Sequence, residues 1–327
     1  MRDIRIGAAQ FEARDADKDY NLGRIRELAA RAARQGAELV SFHECCICGY
    51  TFLENLCRGE LEELAEPVPR GPSTQALVEL ARELGVALGA GLLELGEDGR
   101  LYNTYAVVSP GGFVAGHSKL HPFISDHLSP GAGYTVFELL GCTFGVLICY
   151  DNNLIENVRV TTLLGADIVL MPHVTGGLPS PMPGRGRIPL EVWENRERDP
   201  VRCRMEFTGP KGRGWLMHWL PARAYDNGVY AVFSNPVGVD ADTVKPGNAM
   251  IVDPFGEVLV ESRALGDDVV VGLLTPEKIE QSGGRRYIRA RRPELYGRLV
   301  EPVSEADREG ASSAHADVWW KKHRDTQ

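Results

Sequence analysis

The feature that most limits what this chain can fold into is its number of short, apolar, strand-like runs. They fall at residues 4–9, 38–42, 86–93, 102–109, 113–117, 135–139, 143–149, 167–171, 229–234, 248–252, 258–262 and 268–273. Helical patterns are fewer: an Arg-rich amphipathic stretch at 21–35, a segment at 73–84 after Pro72 with Ser73 or Thr74 as its expected cap, and 155–164. About a dozen strands are too many for one doubly wound sheet of ordinary size. The turn sequences Asp98-Gly99 and Pro110-Gly111-Gly112 require part of the pairing to be antiparallel. Two sheets packed face to face, each covered outside by helices, bury strands of both kinds. The expected fold is therefore α/β, a four-layer αββα sandwich in one domain.

Composition narrows the function classes. At 327 residues the chain exceeds the size at which single cores usually stop growing, which leaves one large domain or two. With 43% hydrophobic and 25% charged residues it is neither disordered, collagenous nor a disulfide scaffold. A formal charge of −9 argues against a nucleic-acid surface, since phosphate binding needs clustered positive charge. The one basic run, 285–292, reads as a solvated or interface segment. No run has the ~20 apolar residues of a membrane span, and the first residues lead into a strand pattern rather than a signal peptide, so a cytoplasmic location is expected. There the odd count of seven cysteines implies free thiols. The stretch 175–220, rich in Pro, Gly and Arg and carrying Trp193, Trp215 and Trp219, reads as a loop-rich insertion forming a lid or pocket wall.

Three reactive residues share a placement at or just past the C-terminal end of an expected strand: Glu44, Lys119 and Cys149. Strand ends in α/β proteins open onto crevices where ligands collect. A thiol, a carboxylate and an amine meeting there form a covalent-catalysis set, because the attacking thiolate needs a base or a positive neighbour. Lysine is as scarce as cysteine here, at seven residues, and Lys119 is the one lysine this reading brings towards the thiol. Each residue also has a plainer reading, as a buried structural thiol or an exposed charge. The Cys45-Cys46-Ile47-Cys48 cluster has C-x-x-C spacing but no second pair at zinc-site spacing. No metal is expected there, and the thiols are expected to line the wall beside Glu44.

The context around these residues resembles the nitrilase superfamily, the carbon-nitrogen hydrolases, in its amidase-like branch. The nucleophile segment is similar in Gly145-Val-Leu-Ile-Cys149-Tyr-Asp151, with Glu156 and Arg159 at the family's following offsets. Lys119-Leu-His121 matches the lysine segment, and Glu44 precedes Gly49-Tyr50. Supporting likenesses are Ala8-Ala9-Gln10, Asn21, Leu101-Tyr-Asn103-Thr, Ala222-Arg-Ala-Tyr-Asp-Asn227 and Asp253-Pro-Phe-Gly256, so the resemblance spans about residues 4–273.

The resemblance implies that Cys149 attacks a carbonyl or nitrile carbon, that Glu44 is the general base, and that Lys119 stabilises the tetrahedral intermediate together with the Tyr150 N–H. It places His173 in a substrate-contacting segment and makes Glu156 and Arg159 a bracing ion pair. Many members carry a second active-site glutamate between the lysine and a downstream Pro-Gly. Here that stretch holds only Asp126 as a carboxylate, so Asp126 or His127 is the candidate replacement, or the role is absent. Cys149-Tyr150-Asp151 leans towards amide or N-carbamoyl hydrolysis, with nitrile hydrolysis as the nearest alternative. A silent scaffold on the same fold, and a thiol hydrolase pairing Cys149 with His121 or His173, are the competing classes. The substrate is expected to be a small amide, carbamoyl or nitrile compound. Arg185, Arg187, Arg196 and Arg198 suggest that it carries a carboxylate. No P-loop, dinucleotide fingerprint or paired-histidine motif points to a cofactor. The resemblance further implies a homodimer or higher oligomer, with a hydrolase domain at 1–284 and a tail at 285–327 whose 287–301 segment serves as a cross-subunit arm.

Overall fold

In the computed structural model, which describes residues 1–178, 180 and 182–302, the strands divide between two six-stranded sheets. The first runs β14 (Asp268–Leu274), β1 (Ile4–Gln10), β2 (Leu39–Ser41), β3 (Ala87–Leu95), β4 (Leu101–Ser109), β5 (Gly112–Ser118). The second runs β13 (Val258–Glu261), β12 (Met250–Val252), β9 (Tyr230–Ser234), β8 (Ile168–Pro172), β7 (Cys142–Val146), β6 (Thr135–Leu139). Pairing is parallel at the centre of each sheet, β1–β2–β3 and β7–β8–β9, and antiparallel outside it. Parallel neighbours need a crossover, and helices lie in these connections. They are α1 (Lys18–Arg34), α3 (Pro72–Leu84), α4 (Ile155–Leu163) and α8 (Leu220–Asn227).

Strand alternation then builds the four layers. Ile6, Ala8, Leu39 and Val107 of the first sheet share a core with Val146, Ile168, Leu170 and Val232 of the second. The opposite faces bury Val40, Leu88 and Ala90 under Ile25, Leu28 and Leu77 of α1 and α3, and Val169 and Ala231 beside Val158 and Leu220 of α4 and α8. Both faces of the central strands are therefore apolar, as parallel strands require.

Several local expectations are corrected. Pro72 occupies the first turn of α3, which leaves Gly71 as the N-cap without a side chain to offer. The Glu66 carboxylate takes over, accepting hydrogen bonds from Ser73 N and Ser73 Oγ at 2.8 Å each. Segment 175–220 is more helical than its composition suggested, with α5 (Leu190–Glu194), α6 (Pro200–Thr208) and α7 (Arg213–Leu216). These pack Val192, Trp193, Cys203 and Phe207 onto Val237 and Val244 of a hairpin, β10 (Val237–Asp240) and β11 (Thr243–Pro246), which the strand pattern did not reveal. Arg159 donates to the Asp226 carbonyl at 2.9 Å, linking α4 to α8 rather than pairing with Glu156. Three further helices are α2 (Arg58–Leu64), α9 (Pro276–Gln281) and α10 (Gly283–Arg289). The expected boundary between Gly284 and Arg285 falls inside α10, which packs against α8. Residues 303–327 of the expected tail lie outside the described residues.

All seven cysteines are free thiols, as their odd count implied. No helix among the described residues is long and apolar enough to cross a membrane.

Candidate active site

Glu44 lies in the loop that leaves β2. It can reach the sheet surface because the facing position on β3 is Gly91: a Cβ there would collide with the backbone of Glu44 and Cys45. The carboxylate is completely buried. Its Oε1 accepts hydrogen bonds from Lys119 Nζ at 2.6 Å and Asn103 Nδ2 at 2.7 Å, while Oε2 has no partner among the described residues.

Lys119 follows β5, its backbone fixed by Asn103 O at 2.8 Å and Gly131 N at 2.8 Å. Its ammonium stands 3.4 Å from Tyr50 Oη and 4.7 Å from the Phe123 ring centroid. Burial alone would favour the neutral amine, but the charge of Glu44, with Tyr50, Cys149 and Asp151, outweighs it. The lysine pKa is held well above its ordinary value.

Cys149 is not the last residue of a strand, since β7 ends at Val146. It opens a one-turn 3-10 helix, Cys149–Asn152, with φ +50, a left-handed conformation that a non-glycine residue rarely adopts. The thiol points at Val174 O, 3.7 Å away. Burial, then the Glu44 carboxylate, push its pKa up to about 12 against the opposing pull of Lys119. Tyr150 is half-buried beside it, and its N–H lies in the first turn, where helix donors have no intrahelical acceptor.

Asp151 explains why these elements meet. Completely buried, it accepts hydrogen bonds from Leu120 N (3.1 Å), His121 N (2.9 Å) and Ile148 N (3.3 Å), and pairs with His121 Nδ1 (2.8 Å). It thus ties the lysine segment to the nucleophile turn. Burial would raise its pKa, but the facing His117 ring, with Nε2 3.9 Å from Oδ2, the hydrogen-bonded His121 and the nearby Lys119 hold the carboxyl well below the usual range.

The histidines have other duties. His121 is engaged with Asp151. His173 is buried behind the nucleophile turn, with Nε2 3.1 Å from Asn152 Nδ2 and its ring 5.4 Å from Trp219 and 4.8 Å from Phe233. Burial, then Lys119, push its pKa down to about 3, so it stays neutral. Neither ring hydrogen-bonds Cys149, and the Cys-His pairing is not assembled. Asp126 and His127 are exposed, outside the buried set around the thiol. The four arginines do not form one clamp: Arg187 pairs with Asp242 at 3.0 Å, Arg196 lies over Trp193, Arg185 lies over Trp215, and Arg198 is exposed.

A narrow cleft leads to Glu44 between Asp15, Cys45, Tyr50, Val174 and Asp240; of the clustered thiols Cys45 is in its wall, whereas Cys46 and Cys48 pack into apolar clusters. Partial burial and the charge of Asp240 raise the Asp15 pKa to about 6. Sequence reasoning gave no role to Asn103, which was visible only as part of a likeness, or to Asp151, visible only as a neighbour of the cysteine. It also gave no place to Lys245, which the structure leaves 1% exposed.

Comparison with known proteins gives the family and the fold. The carbon-nitrogen hydrolase family model matches residues 5–283. An (R)-stereoselective amidase from a Pseudomonas species is 31% identical over 304 residues, covering 91% of this chain and 95% of that protein. A nitrilase from Pyrococcus abyssi is 29% identical over 272 residues, covering 82% and 88%. In fold, the chain is similar to the amidase from Nesterenkonia sp. AN1, solved with the acetamide moiety of fluoroacetamide added covalently at its active-site cysteine. The TM-score is 0.66 at 24% identity, over 91% of this chain and 97% of that one. The αββα sandwich and the family model spanning nearly all of it establish that this chain belongs to the carbon-nitrogen hydrolase family, the nitrilase superfamily.

Proposed function

We propose that the protein hydrolyses amides through a thioester on Cys149, with Glu44 as general base and Lys119 as the fixed cation. One observation carries this reading: a buried carboxylate bonded to a buried ammonium at 2.6 Å beside a thiol whose pKa is pushed up to about 12. Such a thiol rests protonated, so attack must be coupled to proton removal. As Cys149 Sγ bonds to the amide carbon, its proton passes to Glu44 Oε2, the oxygen without a partner. The carbonyl oxygen becomes an oxyanion facing Lys119 Nζ and the Tyr150 N–H. Collapse breaks the carbon-nitrogen bond, and the leaving nitrogen takes the proton from Glu44. Water then gives a proton to Glu44 and attacks the thioester. Collapse releases the carboxylic acid, and the proton returns to sulfur.

Amides and N-carbamoyl compounds are the favoured substrates, supported by Cys149-Tyr150-Asp151 and by the amidase relative. The nitrilase relative keeps nitrile hydrolysis as the second reading. Ammonia release from matched amides, carbamoyl compounds and nitriles, with intact mass to detect acyl-Cys149, tests both. Faster nitrile turnover would reverse the order, and activity surviving Cys149→Ala would end the mechanism.

The domain assignment, 1–284 followed by a tail, is retained as a proposal, as are a homo-oligomer and a cytoplasmic location. Exposed apolar side chains on α4, α8 and the segment after α10, including Ile155 (58%), Leu164 (55%) and Leu299 (66%), support association. Sedimentation of a chain ending near Gly284 checks the arm, which predicts a lower mass than that of the full chain.

A further inference from the structure

Lys245 is the second fully buried lysine among the described residues, and its ammonium makes no hydrogen bond to them. On β11, strand alternation sends Val244 outward into the cluster of Trp193 and Phe207, and Lys245 to the opposite face. There its ammonium, on a side chain 1% exposed, is 3.7 Å from Asp240 Oδ2, beyond hydrogen-bond length, and this is its ion-pair partner among the described residues. Asp240 cannot simply close the gap, because Thr51 N (3.1 Å) and Thr51 Oγ1 (2.6 Å) hold its two oxygens. Asp240 lines the same cleft as Glu44 and Tyr50. Lys245 also lies close enough to Cys149 to respond to a thiolate there, and it feels the charges of Asp240 and Asp242. The Thr175–Gly177 segment after Val174 is pinned beside it: Asn235 bonds both Thr175 and the Gly247 carbonyl, and a Cβ at Gly177 would strike Val244.

An ammonium has three donors, and burying it without good acceptors is unfavourable; an anionic oxygen restores more than a neutral one. We propose that Lys245 is a specificity-determining residue that binds a carboxylate on the acyl part of the substrate, at the end away from the scissile bond. This rests on the amidase reading above. It moves the anionic subsite from the insertion arginines, which have other partners or face solvent, to a buried side chain on the hairpin.

The test compares ω-carboxylated amides having two to four methylenes (succinamate, glutaramate, adipamate) with isosteres in which isopropyl replaces the carboxylate. Binding is measured by calorimetry on the Cys149→Ala protein, and turnover on the active enzyme. The best carboxylated amide is expected to bind at least about 30-fold tighter than its isostere, the range of a charge-assisted hydrogen bond. Lys245→Met should erase that preference by raising KM about 30-fold, with kcat and the isostere's affinity changed less than about 3-fold. Lys245→Met/Asp240→Asn removes both charges together and should do the same if the single variant folds poorly. Arg185→Met should retain the preference. Equal binding of every pair, or loss of both substrate types alike in the Lys245 variants, overturns the proposal. Carboxylate-selective binding without ammonia release would instead defeat the amidase reading and leave the Lys245 site standing.

Discussion

Two lysines are buried to the same depth in this molecule and held in opposite ways. Lys119 touches its carboxylate at 2.6 Å, leans on Phe123 and Tyr50, and has a pKa held well above the ordinary value. Lys245 stands 3.7 Å from a carboxylate that Thr51 holds in place, and burial, the largest influence on it, lowers its pKa. The lesson is that burial alone does not assign a role to a charged side chain. A cation already in contact with its partner, beside the nucleophile, suits charge that develops during reaction; one left short of acceptors suits a charge that arrives with the substrate.

The sharpest way to break that distinction is to remove each ammonium in turn. Lys119→Met should lower kcat/KM at least about 10³-fold on carboxylated and uncharged amides alike, since it removes oxyanion stabilisation and leaves Glu44 buried without its counter-ion. Ammonia assays on both substrate types check it. If Lys245→Met were equally damaging on uncharged amides, the two lysines would not differ in kind.

Asp151→Asn tests whether the Lys119 side depends on being tied to the nucleophile turn. Its hydrogen bonds to 120–121 would weaken, and a displacement of about 1 Å at reacting atoms lowers rate roughly 10²-fold. The expected signature is a loss in kcat with little change in KM and with carboxylate preference retained. Loss of that preference would mean that Asp151 organises both sides.

Glu44→Gln separates proton transfer from charge. Turnover should collapse, yet Cys149 should alkylate faster, because the carboxylate is the largest influence after burial that raises the thiol pKa. Each unit of decrease gives about tenfold more thiolate at pH 8. Iodoacetamide labelling followed by intact mass measures the charge effect, slower labelling would mean that loss of the base outweighs it, and turnover surviving in Glu44→Gln would contradict the assigned role.

The smallest effect concerns acid stability. His173 lies on the Lys119 side and His43 beside the Asp240 cleft; burial pushes their pKa values down to about 3 and about 4. Both are neutral when folded, whereas an unfolded histidine takes a proton below about pH 6.5, so the unfolded state binds more protons there. Stability should be undiminished by these groups above pH 6.5 and fall as pH drops to about 3 for His173 and about 4 for His43. Each contributes up to about 1.4 kcal/mol per pH unit. Urea titrations at pH 7, 6 and 5 should show the decline, and His173→Phe should flatten it.

The two sides also differed in how far the sequence revealed them. Cys149, Lys119 and Glu44 stand near strand ends, and each carries its own local motif, so the set could be assembled without coordinates. Asp240 and Lys245 sit on strands of four residues, too short for alternation to stand out from a Pro- and Gly-rich background. The helices of 175–220 were hidden for the same reason. The cap on α3 was misplaced because the residue that provides it, Glu66, precedes the helix by several residues and reaches it only after the chain folds back.

The sequence by itself determined the αββα layering, because a count of apolar strands and the turns between them leave few ways to bury every face. It also pointed to the family and singled out Glu44, Lys119 and Cys149 as candidates, because those signals depend on neighbours within a few positions. Tertiary structure alone decided which buried polar groups meet. Glu44 and Lys119 are 75 residues apart, and Thr51 and Asp240 are 189 apart. Whether a buried ammonium is satisfied turns on about 1 Å of separation, which packing sets and local sequence does not.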